Sequence, residues 1–286
     1  MTKYSALIVD ITDSKSLSEE KRYTVQDKLS KITNLINNVY KENIIISLSF
    51  TGGDSVQGTF KTIKTAYKVY SLIKDLIFPY EIKAGIGYGK LNEKILKDFS
   101  KDDSNKHDGV SYHLAKEAID FAKKTNKQLI IKTKSETDKI LNILINDQDL
   151  YSLTKQRQAI YALINIFSPF DKEVYEYTKT NIESIVPIIK EISNYYRNNS
   201  KDINILLTFQ ETLQITFKFF SLNNNFNLYN KDFDLLNDTT IYKQTREILQ
   251  ELTNTSKQNI NKIINNANMD LLRKRELAKI ESLEIC

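Results

Sequence analysis

Two aspartates carry the chemistry legible in this chain: Asp10, which ends an apolar run, and Asp54, which follows two glycines in a tight turn. Carboxylates converging from a strand end and a hairpin tip suit hard cations such as magnesium or manganese, which complete their shells with nucleotide phosphates. A pair of such ions can activate an attacking hydroxyl and steady the leaving oxygen of an in-line phosphoryl displacement. The backbone carbonyl of Ile11 is a natural further metal ligand. Beyond it, Thr12 to Leu17 run into a helix start whose free N–H groups can hold phosphates, with Ser14 and Lys15 available for further contacts. Gly52 and Gly53 let the hairpin backbone pass close to a ligand. The bland alternative is that Asp10 caps a strand and Gly-Gly-Asp only turns a hairpin.

The elements that must position these residues decide between the two readings. Tyr4 to Ile11 reads as a buried strand. Ser18 with Glu19 and Glu20 starts a helix whose Val25, Leu29, Ile32, Leu35, Ile36 and Val39 recur at helical spacing. Ile44 to Phe50 and Ser55 to Phe60 make a hairpin around the Gly-Gly-Asp turn. Ile63, Tyr67, Tyr70, Ile73 and Leu76 give a second amphipathic helix. Tyr80 to Gly89 is a fourth strand, Val110 to Lys124 a third helix, and Gln128 to Lys132 a last strand. The order β-α-β-β-α-β is that of a split βαβ, ferredoxin-like arrangement, in which the first strand lies beside the hairpin and Asp10 meets Asp54.

All seven glycines fall within the first 109 residues, so the chain divides into a half with tight turns and close backbone approaches and a half built of helices. The fold expected is α+β: a palm domain over residues 1–135, then an all-α domain over 136–286. With 286 residues, two cores of ordinary size are affordable, and no apolar run is long enough to span a bilayer. The only cysteine, Cys286, excludes an internal disulfide and a cysteine metal cluster, which fits a cytoplasmic protein whose metals are held by oxygen. A net charge of +5 is too modest to imply a basic binding surface.

Four blocks carry a family resemblance: Ala-Leu-Ile-Val-Asp-Ile-Thr-Asp-Ser-Lys (6–15), Phe-Thr-Gly-Gly-Asp-Ser-Val-Gln-Gly (50–58), Ile-Lys-Ala-Gly-Ile-Gly-Tyr-Gly (82–89) and Asp-Gly-Val-Ser-Tyr-His-Leu-Ala-Lys-Glu-Ala (108–118). Together they resemble the bacterial SatD family and, more distantly, class III nucleotide cyclases and the GGDEF and CRISPR polymerase palm domains. The cyclase resemblance implies Asp10 and Asp54 as metal ligands, with Ile11 through its backbone, and a homodimer with sites at its interface. It also places His113 and Lys116 on the helix where cyclases keep transition-state groups, although neither is the Asn or Arg found there. His113, beside Tyr112, Leu114 and Ala115, reads first as a packed core histidine, Lys116 as a solvated lysine, and His107 as a surface residue. GGDEF enzymes follow the hairpin aspartate with an acid; Ser55 stands there instead. The polar stretch between Gly89 and Asp108 reads as an insertion, or as a lid over the nucleotide.

In the helical half, residues 245–267 read as helix, turn, helix, with Asn254 at the turn and Ser256 capping the second helix. That helix carries Lys257, Gln258, Asn261 and Lys262 and no acid, a composition suited to double-stranded DNA. A packed αα-hairpin is the equal alternative. A degenerate copy lies at about 150–197, shifted by 75 residues, with Glu183 and Pro187 where the second helix would read DNA. Residues 223–240 read as an inserted loop, and the last helix, Met269 to Leu283, presents Arg273, Lys274 and Arg275 for a phosphate backbone or a dimer. Two functions are expected to compete: a metal-dependent, cyclase-like domain that makes or senses a nucleotide signal, using a nucleoside triphosphate, and a DNA-binding regulator without enzymatic activity.

Overall fold

The computed structural model describes residues 2–91, 108–146, 153–200, 205–222 and 239–284. His107, nearly all of the polar stretch before Asp108, most of the loop at 223–240 and Cys286 lie outside the described residues. The protein is a mixed α+β molecule with one five-stranded sheet and eleven helices among the described residues. It divides into two compact units, Met1–Asp147 with Ala278–Cys286, and Gln148–Leu277.

The first unit runs β1 (Tyr4–Ile11), α1 (Glu19–Val39), β2 (Ile44–Phe50), β3 (Ser55–Phe60), α2 (Ile63–Ile77), β4 (Ile82–Gly89), α3 (Val110–Thr125), β5 (Leu129–Lys132) and α4 (Asp138–Ile145). The sheet order is β2-β3-β1-β4-β5, which puts β1 between β3 and β4, antiparallel to both, with β5 parallel to β4 outside it. Side-chain amides bond to backbone groups on both edge strands. Asn37 of α1 donates to the carbonyl of Leu48 and accepts from its N–H, both at 2.9 Å. Asn142 of α4 does the same to Ile131 at 2.7 and 2.8 Å, and Asn146 donates to Leu129 at 2.8 Å.

Period-two alternation gives β1 and β4 a shared face. Ala6, Ile8 and Asp10 of β1 stand in register with Gly87, Gly85 and Lys83 of β4. Helix α3 lies on that face with its backbone against the glycines. A Cβ placed on Gly87 would sit 2.1 Å from the Ser111 carbonyl oxygen, and one on Gly85 would sit 2.3 Å from that of Ala115. Four helical residues rise about 6 Å and two strand residues about 6.6 Å. Ser111, Ala115 and Ile119 therefore step along the helix in phase with Gly89, Gly87 and Gly85, and the next step is Lys123 over Lys83 and Asp10.

The second unit comprises α5 (Lys155–Phe167), α6 (Lys172–Thr180), α7 (Ile182–Asn198), α8 (Phe209–Leu222), α9 (Thr239–Thr253), α10 (Lys257–Asn266) and the greater part of α11 (Met269–Ser282). Helix α5 is buried without a break from Ala159 to Phe167 and forms the core. Phe167, Phe219, Phe220 and Tyr175 cluster there, with successive ring centroids 5.0, 5.2 and 5.5 Å apart. Helices α7 and α10 start at the same 75-residue offset, and Val174, Ile185 and Ile189 are buried like Leu249, Ile260 and Ile264. On α7, Val186, Ile188 and Ile192 are buried too, and Arg197 turns inward to donate to the carbonyls of Glu251 and Leu252 at 2.8 Å. Those carbonyls belong to the last turn of α9, where no helical partner exists. Burial pulls the Arg197 guanidinium below its usual range.

The surface role expected of Arg273 is corrected. Its side chain is buried, donating to the Asn165 side chain and, at 2.6 Å, to the Ser168 carbonyl, while its guanidinium stacks 4.4 Å from the Phe170 ring. It anchors the carboxyl end of α5, a place where a bidentate donor satisfies free carbonyls.

Candidate functional site

Asp10 ends the α3-facing side of β1, and the β2–β3 hairpin returns to it. The carbonyl of Asp54 accepts from the Ile11 N–H at 3.1 Å, and Asp10 is the register partner of Ser55. Gly52 and Gly53 take φ of 79° and 86°, the left-handed region that glycine enters without strain. Their service is to the turn; neither lines the cavity described next.

A cavity of about 560 Å³ opens where these ends meet, and both carboxylates line it. Asp54 accepts a short hydrogen bond from the Ser14 hydroxyl. Asp10 pairs with the Lys123 ammonium at 2.5 Å. Lys15 lines the same cavity, as does Thr12, whose buried hydroxyl makes no hydrogen bond among the described residues. Ile11 contributes its backbone, since its side chain is buried in the core. Among the described residues no group of three or more His, Cys, Asp or Glu stands ready for a metal, so the donors on offer are Asp10 and Asp54, with Asp13 also on the cavity, and nearby backbone and hydroxyl oxygens. That all-oxygen set fits a hard cation that draws its other ligands from phosphate.

The segment after Asp10 differs from the helix start expected there. Ser14–Ser16 form a single 3-10 turn entered through Asp13 at φ 54°, and the N–H groups of Ser16 and Leu17 are spent within the turn. The true start of α1 is closed by the Ser18 hydroxyl accepting from Lys21, and Glu19 and Glu20 occupy its first turn. The segment that lines the cavity is thus this single turn, with the Ser14 hydroxyl and the Lys15 ammonium, and not the start of α1.

His113 and Lys116 do not join the cavity. Pressing Ser111, Ala115 and Ala118 against the sheet turns both outward, and His113 is 75 % exposed, 3.7 Å from Asp108, rather than packed in the core. The residues missed at the sequence level are Lys83 and Lys123. The available signal was the pairing of Asp10 with Lys83 across β1 and β4 and the four-residue stepping of α3, both of which require a register. Ser55, standing where GGDEF enzymes carry an acid, donates its hydroxyl to the Val9 carbonyl at 3.0 Å.

On α10, the Ser256 side chain accepts from Asn259, and Asn254 takes φ 51° at the preceding turn. Lys257, Gln258 and Lys262 are exposed, whereas Asn261 is half-buried with its amide oxygen out of reach of solvent. No helix is long and apolar enough to cross a membrane among the described residues.

No curated protein and no solved structure matches the chain. The model of the SatD family matches residues 4–207, which include β1, the hairpin, β4, α3 and every residue lining the cavity. On that match, which covers well over half of its length, the chain belongs to the SatD family.

Proposed function

We propose that the first unit is a palm-like, split βαβ domain that binds a nucleoside triphosphate together with magnesium or manganese, and so makes or senses a nucleotide signal. The observation that carries this reading is the single cavity in which Asp10 and Asp54 stand with Lys15, Lys83 and Lys123. The β1-centred sheet order supports the palm assignment, since it is this order that brings a strand end and a hairpin tip together. Asp10, Asp54 and the Ile11 carbonyl would hold the metal, the lysines the phosphates. When bound, such a metal neutralises phosphate charge and favours attack by a hydroxyl with departure of pyrophosphate. Among this chain's residues, Ser14 orients the Asp54 carboxylate and the lysines offer phosphates ammonium donors. His113 and Lys116 stand away from the cavity, so the catalytic parts that the cyclase resemblance implies for them are not carried forward. The homodimer implied by the same resemblance belongs to this proposal.

The test is a thermal shift of the full chain with each nucleoside triphosphate and Mg²⁺ or Mn²⁺, paired with mass spectrometry of the nucleotides. Ligand at a hundred times its Kd adds about 2.7 kcal/mol, which should raise Tm by roughly 5–10 °C. Asp10→Asn should remove the shift and any product. A shift that persists in Asp10→Asn, or none with any nucleotide, overturns the reading.

A second reading rests on α10, which exposes Lys257, Gln258 and Lys262 and carries no acid. As the second helix of a helix-turn-helix it would contact double-stranded DNA. Replacing Lys257 and Lys262 by alanine should then weaken binding and lower the slope of log K against log salt by roughly 1.8, the value for two phosphate contacts. No mobility shift with DNA fragments at low salt would sink it.

A further inference from the structure

Asp10 has two lysines at its side, brought there by different elements. Lys123, from the last turn of α3, reaches the Asp10 carboxylate at 2.5 Å. Lys83 is the register partner of Asp10 on β4, its ammonium held 2.7 Å from the Asn126 side-chain oxygen. With Lys15 they set three ammonium groups against three carboxylates, Asp10, Asp13 and Asp54, around the same cavity. The lining is thus close to electrically balanced on its own. A divalent cation arriving alone takes its place beside Asp10 in the field of two ammonium groups, and a polyphosphate arriving alone faces three carboxylates. In a partly buried site such like-charge encounters are screened less than in water. Arriving together, the two ligands cancel each other and each finds its own counter-charges already in place.

Resting on the metal and nucleotide reading above, we propose that metal and polyphosphate occupy this cavity interdependently, Lys123 serving as an exchangeable counter-ion that passes from the Asp10 carboxylate to a phosphate oxygen. The pair is built for exchange. The Lys123 side chain is 47 % exposed and that of Asp10 is 21 % exposed, and an ion pair so open to water is weakly held. Lysine carries its charge on a flexible four-carbon stem, so the ammonium can swing between partners without moving the helix. Linkage then makes the coupling reciprocal: the factor by which polyphosphate tightens metal binding is the factor by which metal tightens polyphosphate binding.

The experiment measures Mn²⁺ binding to the full chain by electron paramagnetic resonance, with Mn²⁺ alone as probe, in wild type, Lys123→Met, Lys83→Met/Lys123→Met and Asp10→Asn. Binding of nucleoside triphosphate at saturating Mn²⁺ is followed by calorimetry in the same proteins. Removing Lys123 should tighten binding of Mn²⁺ alone at least tenfold, the double variant more so, while triphosphate affinity falls by a similar factor; Asp10→Asn sets the floor for Mn²⁺. If wild type binds Mn²⁺ with triphosphate but binds Mn²⁺ alone as tightly as the lysine variants do, the exchange is overturned and the site reading stands. If wild type binds neither ligand and no variant exceeds the Asp10→Asn floor, both fall. Far-ultraviolet circular dichroism of each variant reports that it is folded, which the exposure of Lys123 leads one to expect.

Discussion

Alanine at Gly87 is expected to destabilise the first unit by about 4 kcal/mol or more. The added Cβ would lie 2.1 Å from the Ser111 carbonyl oxygen, 2.3 Å from the Ala115 nitrogen and 2.8 Å from the Leu114 carbonyl carbon. All three are backbone atoms of α3, so no rotamer change relieves the clash; the helix must lift off the sheet or β4 must bend. Either movement opens the contact that buries Ala115, Ala118 and Ala122. Lifting α3 also carries Lys123 away from Asp10, so any folded remnant should lose affinity for triphosphate. The control is Gly52→Ala, at φ 79° but with open space where the Cβ would go, which should cost only about 1–2 kcal/mol of backbone strain. Urea unfolding followed by circular dichroism compares the two, and equal losses would show that α3 is not pressed onto the glycines as described.

This packing also explains what could and could not be read from the sequence. The strands Tyr4–Ile11, Ile44–Phe50 and Ser55–Phe60 were legible because alternation and the Gly-Gly-Asp turn mark them locally. The meeting of Asp10 with Asp54 was legible too, because element order alone brings a first strand beside a following hairpin. Lys83 and Lys123 were not. Taken singly, each is a lysine among polar neighbours, and it acquires a partner only when strand register and helix phase are known together. The phase was present in the text all the same: glycines at 85, 87 and 89 alternate as one strand face, and Ser111 and Ala115 sit four apart as a helix face narrow enough to meet them. Had those two periods been superposed, His113 and Lys116 would have been turned outward and Lys123 inward. Arg273 was misread for a related reason. A run of three basic residues looks like a surface, but the carbonyls at the end of α5 and the Phe170 ring draw one of them in. In the helical unit, Asn254 and Ser256 mark the α9–α10 turn by their own conformational preferences, while the inward turn of Arg197 depends on contacts 55 residues away.

Removing the charge of Asp54 should lower metal-dependent triphosphate affinity at least a hundredfold with almost no change in the stability of the unliganded protein. The separation of the two effects follows from how the residue is used. Its backbone carbonyl ties the hairpin to Ile11 at 3.1 Å, and this bond survives any change of side chain. Its carboxylate lines the cavity, half-buried, where substitutions away from the core usually change stability by no more than about 0.5 kcal/mol. Asp54→Asn is the sharper variant, since the amide oxygen can still accept from Ser14 and the shape is kept. If Asp54 were only a turn residue that receives the Ser14 hydroxyl, asparagine would serve as well as aspartate and the triphosphate-induced rise in Tm would be unchanged. If it holds a cation, asparagine should fail as completely as alanine. Ser14→Ala gives the intermediate case. It removes the hydroxyl that orients the carboxylate, and so should loosen it and weaken binding roughly tenfold. The order wild type, Ser14→Ala, then Asp54→Asn level with Asp54→Ala, measured by calorimetry with Mn²⁺ and triphosphate, is the signature of a carboxylate whose charge, and not its place in the hairpin, is what the cavity requires.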